Sequence, residues 1–192
     1  MKKKISWILV VVAILYYVIA YWTVIVADFV PWTRTNFISY DSYINLLDNR
    51  SFYASSQFVD EIPEGSSSVK YYCRQVFKKR IVAHSIVLDE NMYLKIIENQ
   101  KEGYRNYGES EACELIYMID ENEKWSINDL KQLVMDDTFL REVMENQGKQ
   151  QDYYCLVVIS INTTRGICYT GVIANDNTHE MIEFSVEIPD EY

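Results

Sequence analysis

The chain has 192 residues, a net charge of −10 and a sequence pI of about 4.7. That acid surplus argues against nucleic-acid binding and against a polybasic surface for anionic lipid. With six glycines, and with no G-x-G-x-x-G, P-loop, G-x-S-x-G, S-x-x-K or H-E-x-x-H pattern, the familiar nucleotide-binding and hydrolytic classes are excluded as well.

The first element is apolar on every face. From Ile5 to Ala27 no side chain is charged, and only Ser6 and Thr23 are small and polar. A helix of that length rises about 34 Å, enough for a hydrocarbon core of about 30 Å. Lys2, Lys3 and Lys4 precede it, which keeps the N-terminus in the cytoplasm and places the rest of the chain outside. Residues 1–30 therefore read as a lysine-rich tip and transmembrane anchor, with the lipid bilayer as partner through Ile5 to Ala27. Trp7, Tyr21 and Trp22 suit the interfacial belts, whereas Tyr16 and Tyr17 fall near mid-span, where a phenolic hydroxyl wants a partner. A cleavable secretory signal ending near Ala20 is the rival, but the apolar run continues past that point without a polar region.

Residues 31–40 read as a juxtamembrane linker and 41–192 as one acidic extracytoplasmic domain. Without Lys2, Lys3, Lys4 and Asp28, the net charge of −10 becomes about −12. Asp41 caps a short helix carrying Tyr43, Leu46 and Leu47, and Glu64 to Ser68 reads as loop. Val69–Phe77 and Arg80–Leu88 form a predicted hairpin, although Lys78-Lys79 is a poor turn pair. Asp89 caps a helix with Met92, Tyr93, Ile96 and Ile97 on one face, expected to end before Gly103. Cys113–Ile119 is strand or short helix. Ser126 caps the clearest helix, with Leu130, Leu133, Val134, Leu140, Val143 and Met144 in one stripe, interrupted at Asp136-Asp137-Thr138 by a kink or a break between two helices. Tyr153–Ile161, Ile167–Ala174 and Met181–Ile188 make a three-strand antiparallel meander. The expected fold is thus an N-terminal transmembrane helix plus an α+β domain, mainly an antiparallel sheet of about five strands with helices on one face.

Chemistry is sparse. Cys73, Cys113, Cys155 and Cys168 permit two disulfides outside the cytoplasm, or are buried thiols; their spacing does not suit zinc. Register about a Thr163-Thr164 turn puts Cys155 and Cys168 on one face but too far apart to pair, so a bridge is expected to join Cys73 to one of them. His84 lies in a strand and His179 in a turn, and neither has a motif around it. Acidic runs at Asp60-Glu61, Asp120 to Glu123 and Asp136-Asp137 lack the ligand spacing of a calcium loop. No residue is assigned a catalytic, cofactor-binding or metal-ligating role.

Sixteen tyrosines stand out. Tyr71-Tyr72 and Tyr153-Tyr154 each open a strand, so one member of each pair points outward and offers a candidate interaction surface. The expected function is a membrane-anchored, non-enzymatic interaction or accessory module with an unidentified protein partner of basic character, possible in an immunity- or inhibitor-like form. A membrane-anchored hydrolase with an unfamiliar site, built on His84 with carboxylates or cysteine, is the alternative.

Overall fold

A computed structural model of the chain describes residues 2–29, 31–35, 40–49, 62, 64–107, 113–119, 124–134, 138–144 and 147–190. The polar stretch 49–56, which reads as turn-like in the sequence, falls almost wholly outside this set, as do the acidic runs at 60–61, 120–123 and 136–137.

Helix α1 (Lys2–Phe29) is followed after two residues by β1 (Trp32–Thr35). Then come α2 (Tyr40–Asn49), β2 (Ser68–Val76), β3 (Lys79–Val87), α3 (Glu90–Tyr107), β4 (Cys113–Met118), α4 (Ile127–Val134), α5 (Thr138–Val143), a 3₁₀ turn at Gln147–Asp152, β5 (Tyr154–Thr163), β6 (Gly166–Asn175) and β7 (Glu180–Pro189). Helix α4 ends at Val134 and α5 begins at Thr138; the expected interruption between them lies outside the described residues except for Thr138. Helix α3 runs through Gly103 to Tyr107, past the expected stop.

The strands form one antiparallel sheet in the order β1-β2-β3-β7-β6-β5-β4. It has seven strands, not five. One added strand is β4, for which periodicity allows either reading. The other is β1, in the stretch expected to be a linker: Trp32, Thr33, Arg34 and Thr35 pair with Gln75, Arg74, Cys73 and Tyr72. Four residues are too few to show alternation, so only the pairing reveals them as strand.

Helices cover both faces of the sheet, which corrects the one-face expectation. Successive strand residues point to opposite sides. On one side Tyr72, Ile81, Ala83, Val158, Ile173 and Phe184 pack with Leu130, Val134, Phe139, Leu140 and Val143 of α4 and α5. On the other, Ile86, Leu156, Ile159, Val172 and Met181 meet Tyr93 and Ile97 of α3, while Tyr71, Cys73 and Val82 meet Tyr43 of α2.

Local signals place these elements. The Asp89 carboxylate accepts the Met92 amide at 3.0 Å, capping α3. The Ser126 hydroxyl accepts the Asn128 amide, and the Asp129 carboxylate accepts the Ser126 amide at 2.7 Å, a reciprocal cap that opens α4. The β2–β3 turn holds only Phe77 and Lys78, both with positive φ, 47° and 67°. This is the left-handed geometry a two-residue hairpin needs, imposed on residues that adopt it at a cost. Replacing the pair with Phe77→Asn and Lys78→Gly is expected to stabilise the domain by about 1 kcal/mol in urea unfolding.

Candidate functional site

On the α2/α3 side of the sheet, the central strands bury polar groups where a half-solvated sheet would expose them. Alternation along β7 sends Ile182, Phe184 and Val186 to the α4/α5 side and Glu183, Ser185 and Glu187 to the other. Register then builds rows across the strands. Glu183 pairs with His84 and Val172, Ser185 with Val82 and Thr170, and Glu187 with Arg80 and Cys168. His84 and Glu183 are 0% exposed, and Arg80, Glu187, Ser185, Thr170 and Gln75 are buried too.

His84 Nε2 lies 3.4 Å from Glu183 Oε2, longer than a good hydrogen bond. The Gln100 amide of α3 donates to Glu183 Oε1, tying that helix to the sheet. Tyr43 of α2 sets its ring edge-on to His84, with centroids 6.3 Å apart, and stacks on Tyr71 at 4.8 Å. Burial lowers the His84 pKa to about 3, so the imidazole is neutral at physiological pH. One row nearer Arg80, Cys168 Sγ and Ser185 Oγ are 3.0 Å apart. Arg80 approaches Glu187 at 3.7 Å, and burial raises the Glu187 carboxyl above its ordinary value. An acid–base pair needs reach to a substrate proton as well as a suitable pKa. His84 and Glu183 have histidine–carboxylate chemistry but are fully buried among the described residues, so here they join α2, β3, β7 and α3.

A third buried carboxylate sits on the opposite side. Glu180 accepts hydroxyl hydrogen bonds from Ser85 and Tyr153 on separate oxygens. At the β6–β7 end, the Tyr93 and Tyr154 hydroxyls both donate to Asp176 Oδ1 at 2.7 Å. Burial and that carboxylate raise both phenol pKa values, so each remains a donor. His179 lies beside the Tyr93 ring at a centroid distance of 5.4 Å, well separated in the fold from the buried His84.

The tyrosine pairs form no open surface. Tyr71, Tyr72, Tyr153 and Tyr154 are at most 7% exposed, because both sheet faces carry helices and the member expected to point outward is covered as well. Of the two readings left open for the cysteines, the structure carries the thiol one, with all four free. Strands β3 and β7 lie between Cys73 and the strand of Cys168, about 14 Å across three strand spacings. Cys113 and Cys168 flank Ile161 from either side, about 10 Å apart. A bulge between Cys155 and Val157 turns Cys155 to the α4/α5 side, away from Cys168, so these two do not share a face as the unbulged register implies. None of these separations suits an S–S bond. Burial pushes the Cys155 and Cys168 thiols up to about 12. Intact mass is expected to be unchanged by reduction, with the half-buried Cys113 alkylating before Cys73, Cys155 and Cys168, which react on unfolding.

Among the described residues no group of three or more His, Cys, Asp or Glu side chains is placed to hold a metal ion. Sequence reasoning missed Glu183 and Glu187 because alternation in β7 assigns them to solvent. No protein-family model matches the chain, and neither curated proteins nor solved structures give a significant match.

Proposed function

We propose that the chain is a single-pass membrane protein whose α1 holds an acidic, non-enzymatic interaction domain at the extracytoplasmic surface. One observation carries the proposal: α1 is a 28-residue helix whose described side chains, Trp7 and those at 10–22, are all exposed. Val, Ile, Leu, Tyr and Trp on every face of an uncovered helix are unfavourable in water and at home in hydrocarbon. Among the described residues no helix is long and apolar enough to cross a membrane. The sequence on either side of residues 10–22 extends the apolar run from Ile5 to Ala27, and the helical backbone extends with it.

The interaction reading draws on the burial of the titratable groups with acid–base chemistry and on the acidic balance outside α1, which steers a basic partner. Its test is capture of partners from native membranes at rising salt. A partner released as salt increases supports the reading; recovery of none, with no salt-sensitive association, refutes it. A second reading, an anchored hydrolase, draws on the convergence of His84, Glu183, Ser185 and Cys168 on one sheet face. It requires that face to open, and a His84 imidazole titrating near its ordinary value by NMR would favour it.

A further inference from the structure

Strand β1 begins two residues after α1, so Trp32 lies within about 11 Å of the helix end. Its partner across the ladder is Gln75, whose side-chain oxygen accepts the Trp32 indole N–H at 3.3 Å. Two residues on from Gln75 is Phe77, at the tip of the β2–β3 hairpin, 64% exposed and held in a left-handed conformation. The antiparallel ladder thus carries this tip to the end of the sheet where α1 leaves it, and α1 comes into contact with β2.

The same end gathers cations. Lys78 shares the tip, Lys79 opens β3, and the exposed Arg165 lies in the β5–β6 turn, because Gly166 pairs with Pro189 and Arg80 with Glu187 along one edge of the domain; Asp190, whose amide donates to the Arg165 carbonyl, is the exposed carboxylate beside them, leaving the three cations in excess. The opposite end carries Glu64, Asp89, Glu90 and Asp176 at the Gly65, α3 and β6–β7 turns. A net acidic domain therefore presents a basic, aromatic end toward the exit of its apolar helix.

We infer that the Phe77–Lys78 hairpin tip inserts into the interfacial layer of the bilayer that holds α1, with Phe77 among the first acyl methylenes below the headgroups and Lys78 and Arg165 at the phosphate level. This rests on the reading of α1 as a bilayer anchor. An aromatic ring beside cationic side chains matches the chemistry of the phospholipid interface, and Trp32 at the helix exit supplies a second interfacial ring. It also accounts for a phenylalanine in a turn that asparagine or glycine would fill at lower cost. The domain is then pinned at two points, which fixes its tilt and turns the acidic end outward.

The test uses the full chain in vesicles of phosphatidylcholine with phosphatidylglycerol, in a Cys113→Ser background. An environment-sensitive thiol fluorophore is placed at Phe77→Cys, at Lys78→Cys in a second variant, and at Asn177→Cys in the opposite turn as reference. Only preparations whose Cys73, Cys155 and Cys168 stay unreactive are read, which removes misfolded material. The expected result is a blue-shifted emission at the tip with several-fold stronger quenching by lipid-borne nitroxide than at Asn177. Tip labels as aqueous and as iodide-quenchable as the Asn177 label, on protein that floats with the vesicles and resists alkaline carbonate, overturn the insertion alone. Protein that does not float with the vesicles overturns the anchor reading, and the insertion with it.

Discussion

Acidification from pH 7 to pH 4 is expected to lower the stability of the folded domain by about 3 kcal/mol, and His84→Gln to remove most of that slope. The cause is the buried imidazole. In the unfolded chain His84 has an ordinary value near 6.5, and in the fold burial lowers it to about 3. Below 6.5 the unfolded state takes up a proton that the folded state refuses, so the stability present above pH 6.5 is lost progressively as pH falls toward 3. Glu187 acts in the opposite sense: its raised carboxyl keeps a proton longer in the fold, which favours the folded state as pH drops. Asp129, held below its usual range by Ser126, loses its small surface contribution only below about pH 4. Between pH 6.5 and 4 the histidine dominates. Urea unfolding of the chain in detergent micelles at stepped pH measures the slope, and NMR of the His84 ring gives the titration directly. A ring titrating between pH 6 and 7, with no slope assigned to it, would show that solvent reaches the pair and would move the functional reading toward the hydrolase.

Gly171→Ala is expected to cost more than about 3 kcal/mol, against a gain of about 1 kcal/mol for Gly103→Ala. At Gly171 a Cβ would sit 2.2 Å from the Val157 carbonyl oxygen and 3.1 Å from the Phe184 ring. Its pairing partner is Val158, just past the bulge between Cys155 and Val157 that shifts the β5 register. Neither the backbone carbonyl nor the bulge can yield without moving a central strand, and a strand glycine commonly marks such close approach. At Gly103, inside α3, nothing lies within 4 Å, so the change only adds helix propensity. Thermal or urea unfolding of the two variants beside the parent settles the comparison. A Gly171→Ala protein no more than about 1 kcal/mol below the parent would contradict this β5–β6 pairing.

Much of the sheet is legible in the sequence because its signals are local. The meander follows from three alternating segments and short polar connections, and the caps at Asp89 and Ser126 read directly as the first residues before apolar stripes. Features that depend on distant partners are not legible. Strand β1 is four residues without a pattern, and only its ladder to β2 defines it. The outward face of β7 reads as polar, so alternation assigns Glu183 and Glu187 to water; α2 and α3 closing over that side bury them with His84 and Arg80. The tyrosine pairs mislead for the same reason, since their outer members lie under a second layer of helix. Nor does the sequence show that Phe77-Lys78, rather than Lys78-Lys79, is the turn, because neither pair has the residues that such a turn prefers.

The central claim is that α1 crosses a bilayer with the domain outside, and thiol accessibility in intact cells tests it most directly. In a Cys113→Ser background, an Asn177→Cys chain is expected to react with a membrane-impermeant maleimide on whole cells. A Lys3→Cys chain is expected to react only after permeabilisation, and both to stay with membranes through alkaline carbonate at their full mass. Labelling at Asn177 only after permeabilisation, release by carbonate, or a mature chain shortened near Ala20 would contradict the account.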